Sequence, residues 1–206
     1  MKAEKAATNY RSPLRAEQKE ATRQRILDAA GRLLENADLE EFSFAAIASE
    51  AQVQERTVYR HFPSKHALIE DLCAWFQKRV HYEFARTEQE LLAKPKETFP
   101  GFAENERLVR ALWSSRQGRE FRLSNVEERK EGIRAAIADA VKGLPPRQAK
   151  WMAAVVHVLL SSATWQTMKD YWGLSGEEAG KASSMALELL LNAVRQGIPP
   201  AVKQKK

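Results

Sequence analysis

The stretch VQERTVYRHFPSK, residues 53–65, decides how this chain is read. From Arg56 to Lys65 it carries two arginines and a lysine with no acid, whereas residues 26–55 hold seven acids and one base. Val58 and Phe62 stand one helical turn apart, so a short helix here has an apolar back. Its other positions present Glu55, Arg56, Thr57, Tyr59, Arg60 and His61. Pro63 stops that helix, and Ser64 is placed to cap the next one, which runs through Leu68, Leu72, Trp75, Phe76 and Arg79.

Working back toward the N-terminus, Ile26, Ala30, Leu33, Leu34 and Ala37 form one apolar stripe of a helix beginning near Glu17. Ser43 occupies an N-cap position, where its hydroxyl can accept an orphan amide hydrogen of the following turn. Phe44, Ile47, Ala48 and Ala51 mark a second, short helix. Residues 1–25 carry seven Lys/Arg and three Glu, and residues 1–19 read as a basic flexible arm. Toward the C-terminus, helices are expected at about Phe84–Leu92, Phe102–Gln117, Val126–Lys142, Arg147–Tyr171 and Glu177–Gln196. Pro95, Pro100, Gly118, the Gly143-to-Pro146 segment and Gly173 are the expected breaks. Ser175 with Glu178 reads as a capping box, and Gly197 followed by Pro199 as the closing signal. No period-two alternation is sustained. The expected fold is all-α, with about nine helices.

Two short helices joined by a tight turn, the second basic on its outer face, describe a helix-turn-helix. A recognition helix must fit the major groove, with apolar residues pinning its back and donors facing bases and phosphates. Arg56 and Arg60 suit guanine edges or phosphates. Thr57, Tyr59 and His61 offer short donors for phosphate, and Lys65 sits near a helix N-terminus that also attracts phosphate. On spacing alone, a solvated face of a helical hairpin is an equal reading.

The run from Thr22 to Leu72 resembles the DNA-binding domain of the TetR (tetracycline repressor) family of transcription regulators. The residues that carry the resemblance are Thr22-Arg23, Ile26-Leu27-Asp28-Ala29-Ala30, Ile47-Ala48, Ala51, Val53, Thr57-Val58-Tyr59-Arg60-His61-Phe62, Lys65 and Leu68. The resemblance implies a DNA-binding domain over residues 20–80, with its helix-turn-helix at about 43–62. It also implies DNA contact by Arg23, Ser43, Gln54, Glu55, Arg56, Thr57, Tyr59, Arg60, His61 and Lys65. Thr57, Tyr59, His61 and Lys65 would meet phosphates, and the start of the third helix would read bases. Ala45 and Ala46 stand where family members often have a polar or basic residue, and Glu55, unusual on a phosphate-facing surface, is read either as accepting from a cytosine N4 or as pointing to solvent. Two further positions depart from the family pattern. Gln52 stands where the turn usually has Gly, and Gln54 where Ser or Thr commonly caps the third helix.

For residues 81–206 the resemblance implies a ligand-sensing and dimerisation domain. Trp75, Phe76, Phe102, Trp113, Trp151, Trp165 and Met168 are candidates for a pocket taking a small apolar or aromatic effector, with core filling as the alternative for each. The final helix is apolar on more than one side and needs cover on two faces. With the helix before it, it is expected to form a homodimer interface through Val155, Leu159, Ser162, Leu187, Leu190, Leu191 and Val194.

The bulk properties agree with this reading. A formal charge of +6 favours an anionic partner. One cysteine, Cys73, excludes an intrachain disulfide and fits a reducing compartment. The longest apolar run, Trp151 to Trp165, is too short and too interrupted to span a bilayer. A soluble, cytoplasmic protein without a membrane partner is expected. The four histidines lack metal-ligand spacing, and no phosphate loop or nucleophile motif occurs, so neither enzyme, metal nor cofactor is expected. The expected function is a homodimeric repressor released from a palindromic double-stranded operator by a small molecule. The alternatives are an activator, or an architectural helix-turn-helix protein without a ligand.

Overall fold

The computed structural model describes residues 13–35, 42–114 and 116–197, and every regular element among them is a helix. These residues hold eleven helices rather than about nine. The chain divides into two compact units, Met1–Leu68 and Ile69–Lys206.

The first unit contains α1 (Pro13–Glu35), α2 (Phe44–Glu50), α3 (Glu55–His61) and the start of α4 (Lys65–Arg79). α1 begins ahead of the expected Glu17, so residues 13–19 of the proposed arm are helical; residues 1–12 lie outside those described. Proline suits a first helical position because the amide hydrogen it lacks would be unpaired there. Ile26, Ala30, Ile47, Val58, Phe62 and Leu68 are fully buried and form the heart of this unit. An Arg32–Glu50 ion pair of 2.6 Å ties α1 to α2.

The turn between α2 and α3 is a Schellman turn. The Val53 amide donates to the Ala48 carbonyl at 2.9 Å, and the Gln52 amide to that of Ser49 at 3.1 Å. Such a turn places its central residue in the left-handed region, and Gln52 adopts φ 53°. A side chain is strained there, hence the family's preference for glycine. Gln54, the α3 N-cap, makes no side-chain capping bond. We expect Gln54→Ser to stabilise the protein by about 1 kcal/mol, because serine satisfies an orphan α3 amide that Gln54 leaves open. A urea midpoint that does not rise contradicts this.

The second unit continues α4 and adds α5 (Glu88–Glu104), α6 (Glu106–Ser114), α7 (Arg116–Ser124), α8 (Val126–Ile137), α9 (Pro146–Leu159), α10 (Ser162–Trp172) and α11 (Gly176–Arg195). Pro95 and Pro100, expected as breaks, lie inside α5. Each removes a ladder hydrogen bond, at about 3 kcal/mol in an isolated helix. Close packing offsets this. α11 lies along α5 with glycines at the contact. A Cβ on Gly180 would come 2.7 Å from the Pro95 carbonyl oxygen, and one on Gly176 2.8 Å from that of Phe99.

The single helix expected over Arg147–Tyr171 is two, α9 and α10, broken at Leu160–Ser161. Ser161 Oγ donates to the Val158 carbonyl at 2.7 Å and accepts from the Thr164 amide at 3.3 Å, so a local hydroxyl replaces the helical ladder. The Ser175–Glu178 capping box is present, and Gly197 has φ 77°. Pro199 lies outside the described residues. Two core clusters fill the unit, one around Leu91, Ile137, Val156, Leu187 and Leu191, the other around Phe99, Phe102, Val109 and Trp165.

Candidate functional site

Three local features set α3. Ser43 caps α2, its Oγ accepting the Ala46 amide at 3.1 Å. The Schellman turn then redirects the chain, and Val58 and Phe62, both 0% exposed, anchor the helix from behind. What remains outside is polar: Gln54, Glu55, Arg56, Tyr59, Arg60 and Lys65 are exposed, and Thr57 and His61 half-buried. The Tyr59 ring stands edge-on to Phe44 of α2, centroids 4.7 Å apart. This contact fixes one side of the ring while the residue as a whole stays half exposed. Ser64 caps α4 through the Ala67 amide at 3.1 Å, and the neighbouring Lys65 Nζ lies 5.9 Å from the Phe42 ring. Arg23, on α1, holds its guanidinium 5.6 Å from the Phe62 ring, so it covers the anchor as well as adding charge. All ten sequence-proposed contact residues fall in or beside the α2–α3 region, with α1 contributing Arg23.

His61 differs from its neighbours. Its Nδ1 is buried without a hydrogen-bond partner among the described residues. Burial first, then the charges of Arg60, Lys19 and Arg23, hold its pKa below 6.5. The folded state therefore favours the neutral ring. The stability this allows is complete above pH 6.5 and is lost as pH falls through the lowered pKa. We expect His61→Gln to reduce the acid-side loss of thermal stability; melts with an unchanged pH profile contradict this.

The second unit contains a cavity of about 250 Å³ lined by residues of α4, α5, α6, α7, α8, α9 and α10 and of the segments joining them. Of the seven aromatic or methionine candidates, Phe76, Phe102 and Trp113 line it. The other four do not. Trp165 is 0% exposed and packs on Phe102 at 6.0 Å, and Met168 packs against the same core. Trp75 lies beneath the Arg79 guanidinium and Trp151 beneath that of Arg147. The wall also contains Phe121, another large aromatic of the kind a pocket would use, and Tyr82, Arg122, Asn125, Arg129 and His157, which the sequence does not mark as cavity residues. Their signal is weak because α7, which supplies two of them, begins next to the expected break at Gly118. Cys73 also reaches the wall. Burial pushes its thiol up to about 11, and its Sγ lies 3.0 Å from Ser124 Oγ. A thiol so protonated is a poor nucleophile.

The interface candidates need correction. Leu187 and Leu191 are 0% exposed and Val194 6%, all inside the chain's own core. Leu159 and Leu190 are partly buried against that core. Ser162 accepts the Trp113 indole N–H at 2.6 Å and lines the cavity. Val155 is exposed, as proposed. The outward stripe of α9 is instead Trp151, Val155 and Val158, and that of α11 is Met185 and Leu189. A helix apolar on several sides does not reveal by periodicity which stripe is core.

Among the described residues, no group of three or more His, Cys, Asp or Glu could hold a metal ion. No helix among them is long and apolar enough to cross a membrane.

The pattern defining bacterial regulatory proteins of the tetR family matches residues 26–72, the segment from mid-α1 through α3 into α4. No curated protein matches the chain. Among solved structures, similarity extends to native NalD of Pseudomonas aeruginosa, the secondary repressor of the MexAB-OprM multidrug efflux pump. It shares 18% identity with a TM-score of 0.53, over 87% of this chain and 96% of that one. The structure of a single-site TetR variant from Acinetobacter baumannii AYE, in complex with minocycline, shares 19% identity over 89% and 98% with a TM-score of 0.46. A TetR transcriptional regulator from Rhodococcus sp. RHA1 shares 19% over 85% and 98%, with a TM-score of 0.44. The NalD likeness establishes a common fold. Together with the geometry of α2 and α3, the pattern match identifies residues 26–72 of this chain as a domain of the tetR family of bacterial regulatory proteins.

Proposed function

We propose that the protein is a homodimeric, DNA-binding transcriptional repressor that a small molecule releases from a two-fold symmetric operator. Residues 20–80 bind DNA, and residues 81–206 sense the ligand and dimerise. The observation that carries this reading is the course of α4. The helix starts at Lys65, four residues after the recognition helix ends at His61, and its later turns put Cys73, Phe76 and Gln77 into the cavity wall. A ligand that displaces α4 therefore changes where α3 is held. DNA affinity then falls by the ligand's differential affinity for the two states.

One short helix reads too few base pairs to select a genomic site, so two copies are required. The exposed apolar stripes of α9 and α11 are the surfaces proposed to meet. Arg56 and Arg60 read bases; Thr57, Tyr59, His61 and Lys65 hold phosphates. Arg56→Ala or Arg60→Ala is expected to relax discrimination at one operator position by about 1–3 kcal/mol. Tyr59→Phe and Lys65→Ala weaken all sequences alike, and Lys65→Ala lowers the slope of log K against log salt by about 0.9. Titration against operator variants decides this. Uniform loss with both arginine variants contradicts the assignment of base readers.

A further inference from the structure

We propose that the cavity of the second unit takes an anionic amphipathic molecule, a carboxylate carried on an aromatic or short aliphatic body. This inference rests on reading the cavity as the effector site and names the class of effector. The body is specified by Phe76, Phe102, Trp113 and Phe121, whose rings supply an apolar wall. Phe76 and Phe121 meet edge to face at 5.5 Å, leaving a fixed aromatic corner. The volume of about 250 Å³ equals that of about eight waters in the liquid, room for an organic body of roughly ten to fifteen non-hydrogen atoms.

The head group is specified by charge. Arg122 and Arg129 both line the cavity, and among the described residues no Asp or Glu does. Neither arginine forms an ion pair within the described residues. Arg122 donates to the Leu112 carbonyl and lies 4.4 Å from the Trp113 ring. Arg129 lies 5.8 Å from the Phe84 ring and acts electrostatically on the Tyr82 phenol, which shares the wall. These neighbours orient the two guanidiniums without neutralising either. Partly buried cations without a counter-charge are costly, and each still has donors suited to a planar carboxylate. The charges are felt across the site: after burial, Arg119 and then Arg129 depress the pKa of Arg122, and after burial Arg129 depresses that of His157. An anion relieves that repulsion. A cation would add to it, with no acid in the wall to receive it.

The test uses matched trios of carboxylate, amide and amine on phenylbutyl and linear hexyl and octyl bodies. Binding to the full-length protein is followed by calorimetry. At least one body is expected to bind ten-fold or more tighter as carboxylate than as amide, with the amine weaker still. Arg122→Gln and Arg129→Gln should each remove most of that preference while leaving amide affinity in place. Arg134→Gln, an exposed α8 residue outside the wall with the same change of charge, should leave the preference intact. If Arg122→Gln does not fold, Arg129→Gln alone decides. Carboxylates that bind no tighter than amides on every body, or a preference that survives the arginine substitutions, overturn the proposal. A parallel DNA-retention assay separates it from the effector reading. Carboxylate binding that leaves DNA retention unchanged supports the anion site and removes its regulatory role. An amide or amine that binds preferentially and releases DNA keeps the regulatory role and overturns the anion site.

Discussion

Leu189→Asp is expected to yield a folded monomer that no longer holds a two-fold operator, whereas Leu191→Asp yields an unfolded or aggregated chain. The residues are two apart on α11 and face opposite ways. Leu189 is 62% exposed, next along the outward stripe from Met185 at 60%, and α9 presents Val158 at 61% and Val155 at 47%. In the proposed dimer these side chains lose water on association, and a carboxylate at 189 would be desolvated without a partner. Leu191 is 0% exposed within the core that joins α11 to α8 and α9. A carboxylate there is buried in every oligomeric state, at a cost of several kcal/mol, comparable to a domain's whole stability. Sedimentation with far-ultraviolet circular dichroism reads both outcomes. A Leu189→Asp variant that sediments as the wild type does, at micromolar concentration, contradicts the assigned interface.

Phe62→Ala is expected to destabilise the first unit by about 3–5 kcal/mol and to abolish DNA retention without touching a DNA-facing side chain. Phe62 is 0% exposed, with the Arg23 guanidinium 5.6 Å from its ring centroid, and its amide closes α3 by donating to the Val58 carbonyl at 2.8 Å. Removing the ring leaves a cavity behind the recognition helix, and α3, with seven residues, is too short to persist without its anchor. All five tryptophans lie beyond residue 68. Urea unfolding followed by circular dichroism should therefore show an early loss of helix while tryptophan fluorescence keeps its midpoint. A shift below about 1 kcal/mol would mean that Val58 alone anchors α3.

The recognition region was legible because its determinants are local. The Ser43 cap, the Val58–Phe62 spacing, the Pro63 stop and the Ser64 cap each act within a turn or two, and each stands where the residues place it. Even the departures from the family pattern at the turn take physical form, as a left-handed Gln52 and an N-cap at Gln54 without a side-chain bond. Elsewhere the decisive forces are tertiary. Pro95 and Pro100 signal breaks, yet glycine-mediated contact with α11 keeps α5 continuous. Ser161 ends α9 by satisfying its own turn, which apolar periodicity does not register. On α11 nearly every stripe is apolar, so Leu187, Leu191 and Val194 could not be told from Met185 and Leu189 until neighbouring helices occupied one side. For the cavity, large residues were the visible signal, but Trp165 fills core, while the paired arginines that give the cavity its charge came from helices whose ends were misjudged.

Fragments of the source genome retained by the wild-type protein, and sequenced beside those retained by Val58→Asp, test the central claim most directly. The account predicts enrichment of a two-fold symmetric sequence, its half-sites separated by about 34–36 Å or a multiple, seen with the wild type and absent from the variant whose recognition helix has lost its anchor. Retention of the same fragments by both proteins, or of fragments with no shared symmetric sequence, would contradict it.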